Sequence, residues 1–159
     1  SIDWLTITAG VATFENYPRF GRQAWASFDG RFAHEAFSSN YSPAVGRDQE
    51  GPTAVVLSST KVDLSRLNSG CPIDLRISFN KNSKDECKDI LSAFIESFRG
   101  LGGNIMTITK VDIETLKKAQ ENPEQYMSLR VRLGGLTVYF VQLAKAQQDE
   151  YMRRTEHNF

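Results

Sequence analysis

No stretch of this sequence runs to about 18 apolar residues, so nothing in it reads as a bilayer-spanning helix and no membrane partner is expected. Nor does a basic stretch followed by a long apolar core stand at its start, and no signal peptide is expected. An excess of either charge is missing as well. Nineteen Lys and Arg balance nineteen Asp and Glu, which leaves no electrostatic footprint for nucleic acid or an anionic membrane. Cysteine is scarce. Cys71 and Cys87 make neither a metal-ligand spacing nor a disulfide framework, so no metal site and a reduced, cytoplasmic location are expected. His34 and His157 stand alone and read as surface residues. No Gly-x-Ser-x-Gly elbow orders Ser, His and Asp into a hydrolase triad. Gly100-Leu-Gly-Gly103 is too short, and follows a helix, so it is no phosphate loop.

The rest is ordinary globular material, 40% apolar and 24% charged over 159 residues, suited to one domain or a piece of a larger one. Ser1 to Ala12 has no helix cap and reads as a chain entered partway. Phe14, Tyr17, Phe20 and Trp25 read as aromatic core packing. Phe28-Asp-Gly-Arg31 is a turn by its Asp-Gly pair. A polar, breaker-rich loop from Ser42 to Thr53 leads into Ala54–Ser59, read from composition as a short buried strand. Ile73 to Phe79 alternates apolar and polar residues, the mark of a half-buried strand. Ser83 and Glu86 form a capping box for a helix whose face carries Ile90, Leu91, Phe94, Ile95 and Phe98, and which Gly100, Gly102 and Gly103 end. Ile105 to Ile108 is a short strand. Asp112 caps a second helix, stopped at Asn122-Pro123. A third helix is expected over Lys145 to Glu156, with Asp149, Glu150, Arg153 and Arg154 in surface pairs. Strands alternating with helices indicate an α/β or α+β architecture.

The stretch Leu129 to Phe140 centres on Gly134 and Gly135. Val131 and Leu133 on one side, and Val138 and Phe140 on the other, read as two extended arms. Taken alone, a Gly-Gly pair there is a turn that needs positive φ.

The surroundings add a resemblance. Leu116 to Tyr126 lies upstream. Tyr139-Phe-Val-Gln-Leu143, Gln147-Gln-Asp-Glu150 and Arg153-Arg-Thr-Glu-His157 lie downstream. In this order and spacing the tail resembles the C-terminal motif of the glycyl radical enzymes, a family that includes pyruvate formate-lyase, glycerol and diol dehydratases, choline lyase and arylacetate decarboxylases. Their motif is an Arg, two residues, the radical glycine, an aromatic, a small residue, and a Phe four places after the aromatic. Arg132, Gly135, Thr137 and Phe140 match it, whereas Leu136 stands in place of the aromatic. Asp29-Gly-Arg31, Ser42-Pro43 and the Gly46, Asp48, Gly51, Pro52, Thr53 pattern also resemble family sequence, with His34 where the family often has Gly. Thr107 and Thr109 stand where many relatives have Gln and Asn. The likeness runs from about Thr13 to His157.

The resemblance implies the C-terminal elements of a ten-stranded α/β barrel, residues 1–100 supplying its last strands and helix and residues 101–159 the glycyl radical domain with a terminal helix. It implies that Gly135 stores the radical, since a planar α-carbon radical tolerates a hydrogen where a side chain would clash with the flanking carbonyls. Arg132, Gly134, Thr137 and Phe140 would shape the loop. The stored radical would generate a thiyl radical on a finger-loop cysteine outside this chain; neither Cys71 nor Cys87 has that context. No bound cofactor is implied. The radical would be installed by a radical S-adenosylmethionine activase with an iron–sulfur cluster, in an anaerobic cytoplasm, and the glycine segment would swing out to meet it. The partners implied are that activase, a larger chain or subunit carrying the cysteine finger, and an oligomeric assembly. The alternatives are a split enzyme's small subunit, a repair module for an oxygen-cut enzyme, and a non-catalytic scaffold of the same fold. The substrate is not legible.

Overall fold

The computed structural model describes residues 7–13, 16–79, 83–133 and 136–159. Phe14 and the Gly134–Gly135 pair lie outside the described residues. Helices α1 (Tyr17–Gln23), α2 (Pro52–Ser59), α3 (Lys84–Gly100), α4 (Ile113–Glu121) and α5 (Lys145–Met152) accompany strands β1 (Pro72–Ser78), β2 (Ile105–Thr109), β3 (Arg130–Leu133), β4 (Leu136–Tyr139) and β5 (Glu156–Asn158). One sheet has the order β2-β1-β5, and both of its pairings are parallel. The other is the antiparallel pair β3–β4.

Local chemistry sets most boundaries. The Ser83 hydroxyl accepts from the Glu86 amide while the Glu86 carboxylate accepts from the Ser83 amide, the reciprocal box that starts α3. The Asp112 carboxylate does the same work alone for α4, accepting from the Thr115 amide at 2.7 Å. Helix α3 is the crossover between β1 and β2, which a parallel pair requires. The turn expected at Asp29-Gly30 is present, with Gly30 at φ 92°. His34, at φ 67°, explains why a glycine is at home in that position.

Four expectations are corrected. Residues 54–59 are helix, not strand: Pro52 opens α2 in the first turn, and a short apolar run carries no period that separates the two. Strand β1 is central and buried on both faces, not half-buried. Ile73, Leu75 and Ile77 face α2 and α3, while Arg76 and Ser78 are buried on the other side. The third helix stops at Met152, and Glu156–Asn158 instead pairs with Arg76–Ser78 as β5. Finally, of the early aromatics Tyr17 is buried, but Phe20 is 48% exposed, because α1 buries only Tyr17, Pro18 and Gly21, and Trp25, beyond the end of α1, is 80% exposed.

The described residues form two apolar cores. The first joins Val55, Val56, Ile73, Leu75, Ile77, Phe94 and Phe98, with Phe79, Met106, Ile108 and Phe159 at its margin. The second joins Tyr17, Leu116, Ala119, Val131, Leu133, Phe140 and Tyr151.

Candidate functional site

Strands β3 and β4 approach the glycine pair from either side. Leu133 is in register with Leu136, Arg132 with Thr137, Val131 with Val138 and Arg130 with Tyr139. Alternation sends Val131 and Leu133 into the second core and leaves Arg130 and Arg132 on the opposite face. There the Arg132 guanidinium donates to the Thr137 hydroxyl at 2.5 Å. Arg130 lies 5.3 Å from the centre of the Tyr139 ring and donates to its hydroxyl at 3.3 Å. Phe140 is fully buried against Tyr151, and its amide donates to the Leu129 carbonyl at 2.9 Å. The arm after the glycines is open, with Leu136 55% exposed. Of the residues singled out from sequence, Arg132, Thr137 and Phe140 therefore meet on one hairpin, and Gly134 and Gly135 fall between its described ends. Cys71 is buried at the start of β1. Cys87 is half-buried on α3.

A second polar cluster lies on the face of β1 away from α3, and sequence reasoning missed it. The Asp74 carboxylate accepts from the Thr107 hydroxyl at 2.6 Å, from Asn40 Nδ2 at 3.2 Å and from the Ser39 hydroxyl at 3.3 Å. Arg154 reaches in from the C-terminal segment. It donates to Ser39 Oγ at 2.9 Å and the Tyr17 hydroxyl at 3.3 Å, and stands 3.8 Å from Asp74. Arg154 is thus no surface partner of the acidic pair on α5. Arg153 pairs with Glu150 at 3.3 Å, but Glu150 is buried and only the arginine lies at the surface, against the surface pair expected. Arg76 is buried beside the cluster. Its Nη2 donates to the Arg154 carbonyl at 2.5 Å, and Nε lies 3.8 Å from Glu156. Burial pulls the Arg76 guanidinium below its ordinary pKa, against the opposing pull of Glu156. Burial also raises the Tyr17 and Tyr151 phenols, against the nearby Arg154 charge. Between these groups is a cavity of about 20 Å³, room for one water.

His157, expected at the surface, is buried, and its Nε2 lies 3.0 Å from Asp48 Oδ2. Thr155 donates to the other oxygen of Asp48. His34 is exposed as expected. The one signal of this cluster was the polar alternation Asp74, Arg76, Ser78 along β1, which reads equally well as a face toward solvent.

The family model described as glycine radical matches residues 37–141. The chain belongs to the glycyl radical enzyme family. It is 35% identical over 154 residues to the (2S)-3-sulfopropanediol dehydratase of Klebsiella oxytoca, a match covering 94% of this chain and 19% of that protein. It is 32% identical over 153 residues to a probable dehydratase, YbiW, of Escherichia coli (strain K12), covering 94% and 18%. Among solved structures it resembles the glycerol-bound B12-independent glycerol dehydratase from Clostridium butyricum with a TM-score of 0.88 and 28% identity, over 96% of this chain and 19% of that one. The chain therefore spans about a fifth of the length of the relatives it matches. Its three parallel strands and their helices are C-terminal elements of the glycyl radical enzyme α/β barrel, and the family match takes in β1, β2 and the β3–β4 hairpin alike.

Proposed function

We propose that Gly135 stores a glycyl radical and that this chain is the radical-bearing C-terminal portion, or small subunit, of a lyase-, dehydratase- or decarboxylase-type glycyl radical enzyme. The observation that carries the reading is the family match across residues 37–141, which takes in both arms of the hairpin around Gly134 and Gly135. Residues 1–100 would close the catalytic barrel and residues 101–159 would present the radical. The radical would take a hydrogen atom from a finger-loop cysteine on a larger chain or on upstream sequence, and the resulting thiyl radical would attack substrate. The upstream barrel would cover the open arm at Leu136, 55% exposed here. Arg132 and Thr137, bonded across the strands, would hold the two arms in register, and Phe140 would anchor the return of the chain into the core. Gly134 would give the backbone room beside the radical position.

The other parts of the reading come with the family. A radical S-adenosylmethionine activase would install the radical, in an anaerobic cytoplasm, on an oligomeric enzyme with no further bound cofactor. Oxygen cuts a glycyl radical chain at the radical carbon, which supplies the test. The protein is activated anaerobically with such an activase, exposed to air and weighed intact by mass spectrometry. The reading expects two fragments meeting at Gly135. An unbroken chain after a verified activation, or a cut elsewhere, would overturn it.

A further inference from the structure

The Gln148 side chain of α5 is buried and joins three elements. Its Nε2 donates to the Phe140 carbonyl at 3.1 Å and to the Leu143 carbonyl at 3.0 Å. These carbonyls open and follow Phe140–Gln142, the single turn between β4 and α5. Its Oε1 accepts from Gln120 Nε2 of α4 at 3.1 Å. The partners fix which end of the amide is which. An ionised Asp149 can only accept, and Gln120 Nε2 donates to it at 2.8 Å. The same NH2 group therefore meets the oxygen of Gln148, and the nitrogen of Gln148 is left for the two carbonyls. Both donors and the acceptor of this amide are in use, and bonds of this kind are costly to leave unmade once buried.

Phe140 is also where the hairpin closes. Its amide donates to the Leu129 carbonyl, and beyond that bond β3 and β4 run in register toward the glycines. Both backbone groups of Phe140 are therefore held, the N–H by the incoming arm and the carbonyl by Gln148. The Arg132–Thr137 bond joins the two arms to each other. Gln148 joins them to α4 and α5. A radical on a glycine α-carbon is shared with the flanking amide nitrogen and carbonyl only while the two rigid peptide planes stay close to one plane. Its spin density on carbon then depends on φ and ψ at that residue, and those angles follow from where the two arms are fixed.

We propose that Gln148 is a positioning residue for the radical at Gly135. By fixing the Phe140 and Leu143 carbonyls it sets the return arm of the hairpin, and through that arm the twist at the radical carbon. Gln120 acts behind it by orienting the amide. The proposal rests on the assignment of the radical to Gly135 made above.

The test is the width and anaerobic lifetime of the radical's electron paramagnetic resonance doublet in the activated enzyme, full chain or complex. Gln148→Met keeps the length of the side chain and removes both donors. Its doublet should broaden, and the radical's half-life should shorten about tenfold, the factor that one lost buried hydrogen bond is worth in an equilibrium constant. Gln148→Glu, neutral where it faces two carbonyls in a buried site, keeps one donor and should restore part of the width and lifetime. Gln120→Met, at a half-buried position, should shift both readings the same way by less, and it carries the test if Gln148→Met does not fold. Asp48→Asn lowers stability at the β5 anchor and should leave the doublet as it is, which separates positioning from loss of stability. Parental width and lifetime in the Gln148 and Gln120 variants, or an equal change in Asp48→Asn, would overturn the proposal alone. No doublet in the parent protein would overturn the reading of Gly135, and the positioning role with it.

Discussion

The His157 imidazole and the Asp48 carboxylate meet 3.0 Å apart, 109 residues from each other in sequence. Their contact ties the C-terminal strand β5 to the loop ahead of α2. Burial works against the Asp48 charge, but hydrogen bonds from His157 and Thr155 outweigh it and hold its pKa below the ordinary carboxylate value. A carboxyl group with a depressed folded-state pKa contributes stability above its unfolded pKa and loses that contribution as pH falls through the folded one. Asp48→Asn should therefore cost about 1–3 kcal/mol at neutral pH. The gap to the parent protein should close as pH drops below the ordinary carboxylate range. Denaturant melts across pH check this, and a gap that does not narrow in acid would contradict it.

Phe140 is buried completely, at the point where β4 turns back toward α5. Truncating it removes the Tyr151 ring contact and leaves a void in the core of the hairpin's body. Phe140→Ala should destabilise by about 3–5 kcal/mol. Chemical denaturation measures the loss. A cost under ~1 kcal/mol would mean that Phe140 does not anchor the hairpin.

Gly21, within α1, has negative φ, so its constraint is space and not conformation. A Cβ built there lies 2.2 Å from the Glu35 carbonyl oxygen and 2.6 Å from the Ala36 Cα. Both are backbone atoms that cannot swing aside. Gly21→Ala should cost at least ~2 kcal/mol by overpacking. Gly46→Ala provides the contrast: no atom crowds its Cβ, and its cost should come only from its φ of 79°, about 1–2 kcal/mol. Thermal melts of the two variants distinguish steric from conformational loss.

How much was legible in advance depended on the range of the interaction. Ser83 with Glu86, and Asp112 with Thr115, act within one turn of helix, so the starts of α3 and α4 could be read directly. The two arms of the hairpin were visible in the alternation of Val131 and Leu133 ahead of the glycines. Ala54–Ser59 carried no periodicity, and only Pro52 at the helix start told against a strand. The end of the chain was hardest. Continuation of α5 through Glu156 is locally favourable, but pairing with Arg76–Ser78 overrides it, and that partner is distant in sequence. The same distance hid the cluster of Asp74, Arg76, Arg154 and Tyr17. Its members look like surface charges and a core aromatic until the fold brings them together. Arg132, Thr137 and Phe140 were singled out because the family motif sets offsets from Gly135, an independent source of information that local propensity does not contain.

The most direct test of the central claim is an anaerobic electron paramagnetic resonance spectrum of the activated protein. The account predicts a doublet from the single α-hydrogen left at position 135. The doublet should broaden or split further when glycine carries ¹³C at the α-carbon, and be lost in Gly135→Ala while Gly134→Ala retains it in reduced yield. An unchanged doublet in Gly135→Ala would contradict the assignment of the radical to that carbon.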